Sequence, residues 1–234
     1  MREIIFDTET TGLDPASGDR MVEIGCIEMV NRVTTGQTFH AYFNPERSMP
    51  HEAEAVHGLS DSFLADKPFF SERARELLEF LGDSPLVAHN ASFDFGFLNS
   101  ELDRCALEAI STDRKIDTVA MARMRHPGAK LSLDALCSRY GIDRSHRTQH
   151  GALLDSELLA QVYVELTGGR QIGLELVADA PSASSRQASS DKAPLPFRVP
   201  RPHQPSASER DAHAQFLKTV QRPLWGEQPV TSGD

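Results

Sequence analysis

Two carboxylates one residue apart stand near the start of the chain: Asp7 and Glu9, in Phe6-Asp7-Thr8-Glu9-Thr10-Thr11-Gly12. In an extended strand, side chains at i and i+2 point to one face, so this pair presents two acids together. Acids held that close favour a cation between them. Alone, the pair is what many strand ends carry, and catalysis needs more acids to converge on it. Asp94, in His89-Asn90-Ala91-Ser92-Phe93-Asp94, and Asp155, in His150-Gly151-Ala152-Leu153-Leu154-Asp155, are the candidates. Four carboxylates from three segments suffice for two divalent ions, and oxygen ligands suit Mg²⁺ or Mn²⁺ rather than zinc or copper. Two such ions, roughly 3.5–4 Å apart, stabilise the attacking and leaving oxygens of phosphodiester hydrolysis. His150 precedes Asp155 by five positions, roughly 140° around a helix of 3.6 residues per turn, so the two do not share a helical face. A place on the loop just before the helix suits His150 better. With an ordinary pKa of about 6.5, it can serve there as general base. Taken singly, Asp94 reads as a helix cap, Asp155 as a solvated helix residue and His150 as a surface histidine.

The elements that must position these groups follow from periodicity. Ile4-Ile5-Phe6 marks a buried strand from Glu3 to Glu9. Met21 to Val30 and Thr38 to Phe43 have strand character and are expected to form a hairpin beside it, with a turn containing Gly36. Ala74, Leu77, Leu78 and Leu81 recur at helical spacing within Ser71 to Leu81. The strand Leu86 to His89 follows, then a helix through Phe93, Phe97, Leu98 and Leu102 that puts Asp94 near its N-terminus. A short strand is expected around Ile116-Asp117. Ser132 caps a helix to Tyr140, and Ala152 to Leu166 forms another that stops at Gly168-Gly169. Alternating strands and helices define an α/β domain over residues 1–170. Beyond Val177, prolines scattered among Ser and Ala mark residues 177–207 as a flexible linker. Residues 208–234 hold a helix-capable stretch, Ser208 to Val220, and Pro223-Leu224-Trp225, whose lone tryptophan suits a docking anchor.

A formal charge of −10 argues against coating nucleic acid through a broad basic surface, but not against gripping phosphates through metal ions. Cys26, Cys105 and Cys137 are widely spaced and suggest reduced core thiols, neither disulfides nor a zinc knuckle. No apolar run approaches the roughly 18 residues of a membrane span, and the N-terminus enters a strand directly, so a cytoplasmic location without membrane contact is expected. His51-Glu52-Ala53-Glu54-Ala55-Val56-His57 misses the zinc-protease register by one residue. Phosphate-binding, dinucleotide and serine-nucleophile glycine motifs are all missing from the sequence.

The segments Asp7 to Gly12, His89 to Asp94 and His150-x4-Asp155 resemble, in order and separation, the three motifs of the DEDDh exonucleases. Val56-His57-Gly58, Leu131 to Cys137 and Thr148-x-His150 to Asp155 are similar to the branch that proofreads for bacterial DNA polymerase III. The resemblance is strong from Arg2 to Gly169 and loose in the tail. It implies a ribonuclease-H-like fold with a mixed central sheet flanked by helices. It also implies Asp7, Glu9, Asp94 and Asp155 as metal ligands, His150 as base, and hydrolysis from a single-stranded or frayed DNA 3′ end. The terminal nucleotide would be held by Thr8, Thr10, Thr11, Gly12, Leu13, Glu52, His57, Asn90 and Phe93. Leu13 and Phe93 could pack against bases, or belong to the core. Gln171-Ile172-Gly173-Leu174-Glu175-Leu176 resembles peptides that dock on the sliding clamp, through Gln171, Leu174 and Leu176 in residues 171–176. The tail, through Phe216, Leu224 and Trp225, is expected to bind the polymerase III catalytic subunit. Such tethering adds roughly 10²–10⁴ in avidity without new contacts. The rival readings are a DEDDh nuclease that trims RNA or oligonucleotides, and a non-catalytic subunit bridging clamp and polymerase.

Overall fold

The computed structural model describes residues 1–145, 147, 149–169 and 204–219. They fall into two units, one within Met1–Leu176 and one within Val177–Asp234. The first contains five strands: β1 (Arg2–Thr10), β2 (Met21–Val30), β3 (Val33–Tyr42), β4 (Leu86–Ala88) and β5 (Lys115–Asp117). Its helices are α1 (His51–His57), α2 (Asp61–Leu64), α3 (Phe70–Leu81), α4 (Ala91–Arg104), α5 (Thr118–Arg125), α6 (Leu133–Tyr140) and α7 (Ala152–Leu166). The second unit contributes α8 (Ala207–Thr219), on which Phe216 is exposed.

The sheet is mixed, in the order β3-β2-β1-β4-β5. The first three strands form an antiparallel meander, while β4 and β5 run parallel to β1. Because β1 is central and covered on both faces, its apolar run is continuous rather than alternating. Ile4 and Phe6 enter a core with Cys26, Phe39, Leu77 and Leu98, beneath α3 and α4. Ile5 points the other way, to Ile27, Met29, Leu159 and Tyr163, beneath α7. The same parity carries through the polar end of the strand. Asp7 and Glu9 lie on the α7 side, and Thr8 lies on the α4 side.

The hairpin differs from its expected form. The β2–β3 turn is made by Asn31 and Arg32, with φ of 52° and 66°, and β3 begins at Val33. Two consecutive positive φ values give the twist that suits a two-residue connection. Gly36, with φ of 85°, lies inside β3, where the register with β2 shifts between Ile27 and Met29. It therefore marks a bulge, not the turn. Helices α3, α4, α6 and α7 occupy the segments that periodicity marks, and Ser132 caps α6 by accepting from the Ala135 N–H. The short α1, α2 and α5 were not expected. Gln171, Leu174, Leu176, Leu224 and Trp225 lie outside the described residues. Among those described, no helix is long and apolar enough to cross a membrane.

Candidate active site

One glycine decides how close the acidic segments come. Gly25 of β2 is the cross-strand partner of Asp7, and Glu23 is the partner of Glu9. A Cβ at Gly25 would lie 2.3 Å from the Leu153 backbone nitrogen and 2.4 Å from the Ala152 carbonyl carbon. Only glycine lets the start of α7 rest on the strand here. The contact is secured by Ser156, whose hydroxyl donates to the Gly25 carbonyl at 2.9 Å. Asp155, in the first turn of α7, is thereby brought over the Asp7/Glu9 face and is buried. From the other side, Asp94 lies in the first turn of α4, buried, and accepts from the Thr8 hydroxyl at 2.8 Å.

These carboxylates crowd one another. Burial, followed by the charges of Asp94, Glu9, Asp155 and Glu23, pushes the Asp7 carboxyl well above the usual range. Burial, with Glu23 and Asp155 adding to it, raises Glu9 to about 8 although Arg147 opposes the shift. Asp94 is raised to about 7 by burial, against hydrogen bonds from Thr8 and backbone amides. Five acids therefore share a small volume, offset among the described residues by the single guanidinium of Arg147. One donor atom each from Glu9, His150 and Asp155 lies within 4.8 Å of the other two. Carboxylate oxygens with a single imidazole form a donor set that fits a hard divalent cation, and such a cation would relieve the repulsion.

His150 lies immediately ahead of Gly151, the N-cap of α7, and its backbone N–H donates to the Val56 carbonyl at 3.3 Å. Its Nδ1 is 3.1 Å from Asp155 Oδ2 and 2.7 Å from Arg147 Nη2. A guanidinium has only protons to give, so the shorter contact makes Nδ1 an acceptor. Arg147 also places Nε 2.6 Å from Asp155 Oδ1 and Nη2 2.7 Å from Asp155 Oδ2. The Nε contact is one of charge rather than an aligned hydrogen bond. Sequence reasoning overlooked both Arg147 and Glu23. The only signal for Glu23 was an acid inside the apolar run of β2, where it meets His40 Nε2 at 2.7 Å. Arg147 carried no signal beyond lying three residues before His150.

The residues expected around the substrate are placed unevenly. Thr10 and Thr11 are buried; the Thr10 hydroxyl donates to the Gly12 carbonyl at 2.6 Å, and the Thr11 N–H donates to the Arg20 carbonyl at 2.9 Å. A Cβ at Gly12 would strike the Asp19 carboxylate at 2.2 Å, and Leu13 beyond it is 84% exposed. His57, at the end of α1, is buried. Its Nδ1 accepts from the Leu59 N–H at 3.0 Å, its Nε2 faces the Thr10 backbone without an aligned hydrogen bond, and burial lowers its pKa. Of the two acids on α1, Glu54 is the one whose charge acts on His57, while Glu52 is exposed. Asn90 is exposed in a left-handed conformation (φ 66°, ψ 50°) at the start of α4. Half-buried Phe93 packs on Phe97, with ring centroids 4.9 Å apart.

A mixed sheet that presents a buried carboxylate cluster from β1, α4 and α7 defines a class of nuclease, and the chain belongs to the exonuclease family, whose model matches residues 4–163. Its relatives there are named DNA polymerase III subunit epsilon. The protein of Rickettsia felis is 48% identical over 226 residues, covering 94% of this chain and 97% of its own. That of Escherichia coli K12 is 46% identical over 176 residues, covering 72% of each. Among solved structures, exonuclease X in complex with 5′ overhanging duplex DNA is 26% identical and covers 70% of this chain and 90% of its own, with a TM-score of 0.54. The nuclease domain of 3′hExo, a DEDDh family member bound to rAMP, shares the fold at 18% identity. It covers 71% of this chain and 91% of its own, with a TM-score of 0.62. The DEDDh family depends on divalent metal.

Proposed function

We propose that the chain is the proofreading 3′→5′ exonuclease of a bacterial DNA polymerase III, working in the cytoplasm on single-stranded or frayed DNA 3′ ends. The convergence of Asp7, Glu9, Asp94 and Asp155 with His150 carries this reading. The four acids would hold two divalent ions, Mg²⁺ or Mn²⁺ by the hardness of their oxygens. When bound, such ions stabilise charge on the phosphate oxygens and make water more acidic. His150 takes the proton of the attacking water. The Thr8 hydroxyl fixes Asp94. His57, its pKa lowered by burial and its Nε2 without an aligned hydrogen bond, is suited to hydrogen-bond the terminal nucleotide beside the backbone of Thr10 to Gly12. Exposed Leu13 and half-buried Phe93 offer apolar surface to bases, which is tolerant of sequence. Asn90 and Glu52 complete the substrate contacts that the family motifs suggest.

Partner binding is assigned to the far end of the chain. Gln171, Leu174 and Leu176 would dock on the sliding clamp, and the segment with Phe216, Leu224 and Trp225 on the polymerase's catalytic subunit. The likeness to the Rickettsia felis protein, which runs over 94% of this chain, supports a shared role for the tail. The deciding experiment is degradation of 3′-labelled single-stranded DNA with Mg²⁺ by wild type and Asp7→Ala, beside matched RNA. Equal activity of the two proteins sinks the mechanism, and a preference for RNA sinks the DNA assignment. Deleting residues 208–234 is expected to abolish copurification with the polymerase while sparing hydrolysis. Alanine at Gln171 and Leu174 should weaken clamp binding.

A further inference from the structure

Arg147 is the one arginine whose guanidinium enters the carboxylate cluster among the described residues, and its position is hard to reconcile with a purely architectural role. Its side chain is 9% exposed and engages Asp155 along both carboxylate oxygens, at 2.6 and 2.7 Å. The same group lies 2.7 Å from His150 Nδ1 and 3.3 Å from Nε2. It therefore covers one of the acids a cation would need and the lone pair a base would need. Its charge also reaches Asp7 and Glu9. A second carboxylate in direct contact anchors it from outside the cluster. Asp134, at the start of α6 and half exposed, accepts from Arg147 Nη1 at 2.6 Å and is also paired with Arg144 at 2.8 Å. Beside Asp134 opens a cavity of about 530 Å³, lined also by Ser138, Ile142 and Arg144.

We propose that Arg147 is a counter-cation that competes with divalent metal for Asp155: metal binding displaces it along its Asp134 anchor and frees Asp155 and His150 together. The inference rests on the proposed metal site. Physically, the guanidinium and the metal compete for the same oxygens. Burial alone would disfavour the charge, and contact with Asp155 together with the charges of Asp134 and Asp7 more than compensates. Withdrawal exchanges the Asp155 pair for the retained Asp134 pair and for solvent in the cavity, so the charge is never left buried without a partner. If about 90% of metal-free molecules hold Arg147 on Asp155, the apparent metal affinity is weakened about tenfold. The arginine is thus a positioning residue that keeps the acids together before the metal arrives and sets the metal concentration at which the base is freed.

The test uses the full chain and Mn²⁺ alone, with free Mn²⁺ read by electron paramagnetic resonance and melting followed in EDTA and in saturating Mn²⁺. Arg147→Met should bind Mn²⁺ several-fold to about tenfold more tightly than wild type. It should melt lower in EDTA but match wild type in Mn²⁺. Arg147→Lys, which keeps a charge without the bidentate fork, should fall between the two. Unchanged or weaker Mn²⁺ binding by Arg147→Met, with an equal melting deficit in both buffers, overturns the inference and makes Arg147 architectural. Asp7→Ala separates the two levels. If it binds Mn²⁺ like wild type, the metal site itself is wrong; if it loses Mn²⁺ while Arg147→Met is unchanged, only the arginine's role fails.

Discussion

Replacing Gly25 by alanine tests whether the approach of α7 to the sheet sets the active geometry. The added Cβ would meet the Leu153 nitrogen at 2.3 Å and backbone carbons of Ala152 and Leu153 at 2.4 Å. None of these is the end of a flexible side chain, so relief requires α7 or β2 to move as a body. Restoring ordinary van der Waals contact, about 3.4 Å, from 2.3 Å means a displacement of about 1.1 Å. Overpacking of this kind costs about 1–3 kcal/mol of stability. The larger effect falls on activity, because Asp155 and His150 ride on the displaced segment. A misplacement of about 1 Å costs on the order of 10²-fold in rate. Gly25→Ala should therefore remain folded by circular dichroism, melt lower, and hydrolyse 3′-labelled single-stranded DNA about a hundredfold more slowly in Mg²⁺. Hydrolysis within a factor of about two of wild type, with an unshifted melt, would refute the claim that this contact positions the site.

Three further outcomes are expected. Glu9 and Asp94 have folded pKa values of about 8 and about 7, above their ordinary values of 4.5 and 3.8, so the folded state binds more protons than the unfolded one across that window. In EDTA, stability should accordingly fall as pH rises from about 4 to about 8; a flat or rising melting temperature would contradict the crowding. His150→Ala should lower kcat about 10²–10⁴-fold with Mn²⁺ binding retained, and loss of Mn²⁺ binding instead would make His150 a ligand. Thr8→Val should cost about 1–3 kcal/mol in chemical denaturation by stripping Asp94 of its hydroxyl donor; an unmoved midpoint would show that hydrogen bond to be dispensable.

What could be read from the residues was local. The Asp7/Glu9 alternation, the Ser132 cap, the helical spacing of α3 and the Gly168-Gly169 stop after α7 are properties of short windows, and the elements formed where those windows lie. The turn was misplaced because glycine is the stronger turn signal on paper. Asn31 and Arg32 instead take positive φ under the twist of the strands they join. The short α1 and α2 span too few residues to show a period, and α5, as long as α6, starts from Asp117, which was read as strand. Arg147, Glu23 and Gly25 were invisible for another reason. Each acts on a partner from a different element, eight residues away for Asp155, fourteen for Glu9 and well over a hundred for the start of α7. Nothing in their own neighbourhoods distinguishes them.

The wide separation of the acids along the chain also schedules when the site exists. Asp7 and Glu9 belong to the meander of residues 2–42, whose strands pair with immediate sequence neighbours. Asp155 is 148 residues beyond Asp7. At roughly 5–20 residues per second of synthesis, it leaves the ribosome about 7–30 s after the first acid. Until α7 settles on Gly25, the nascent chain holds the sheet and three of the four acids, Asp7, Glu9 and Asp94. A hydrolase assembled from both ends of its domain thus stays inert until α7 has been made, and its activity switches on as a report that the whole domain has closed.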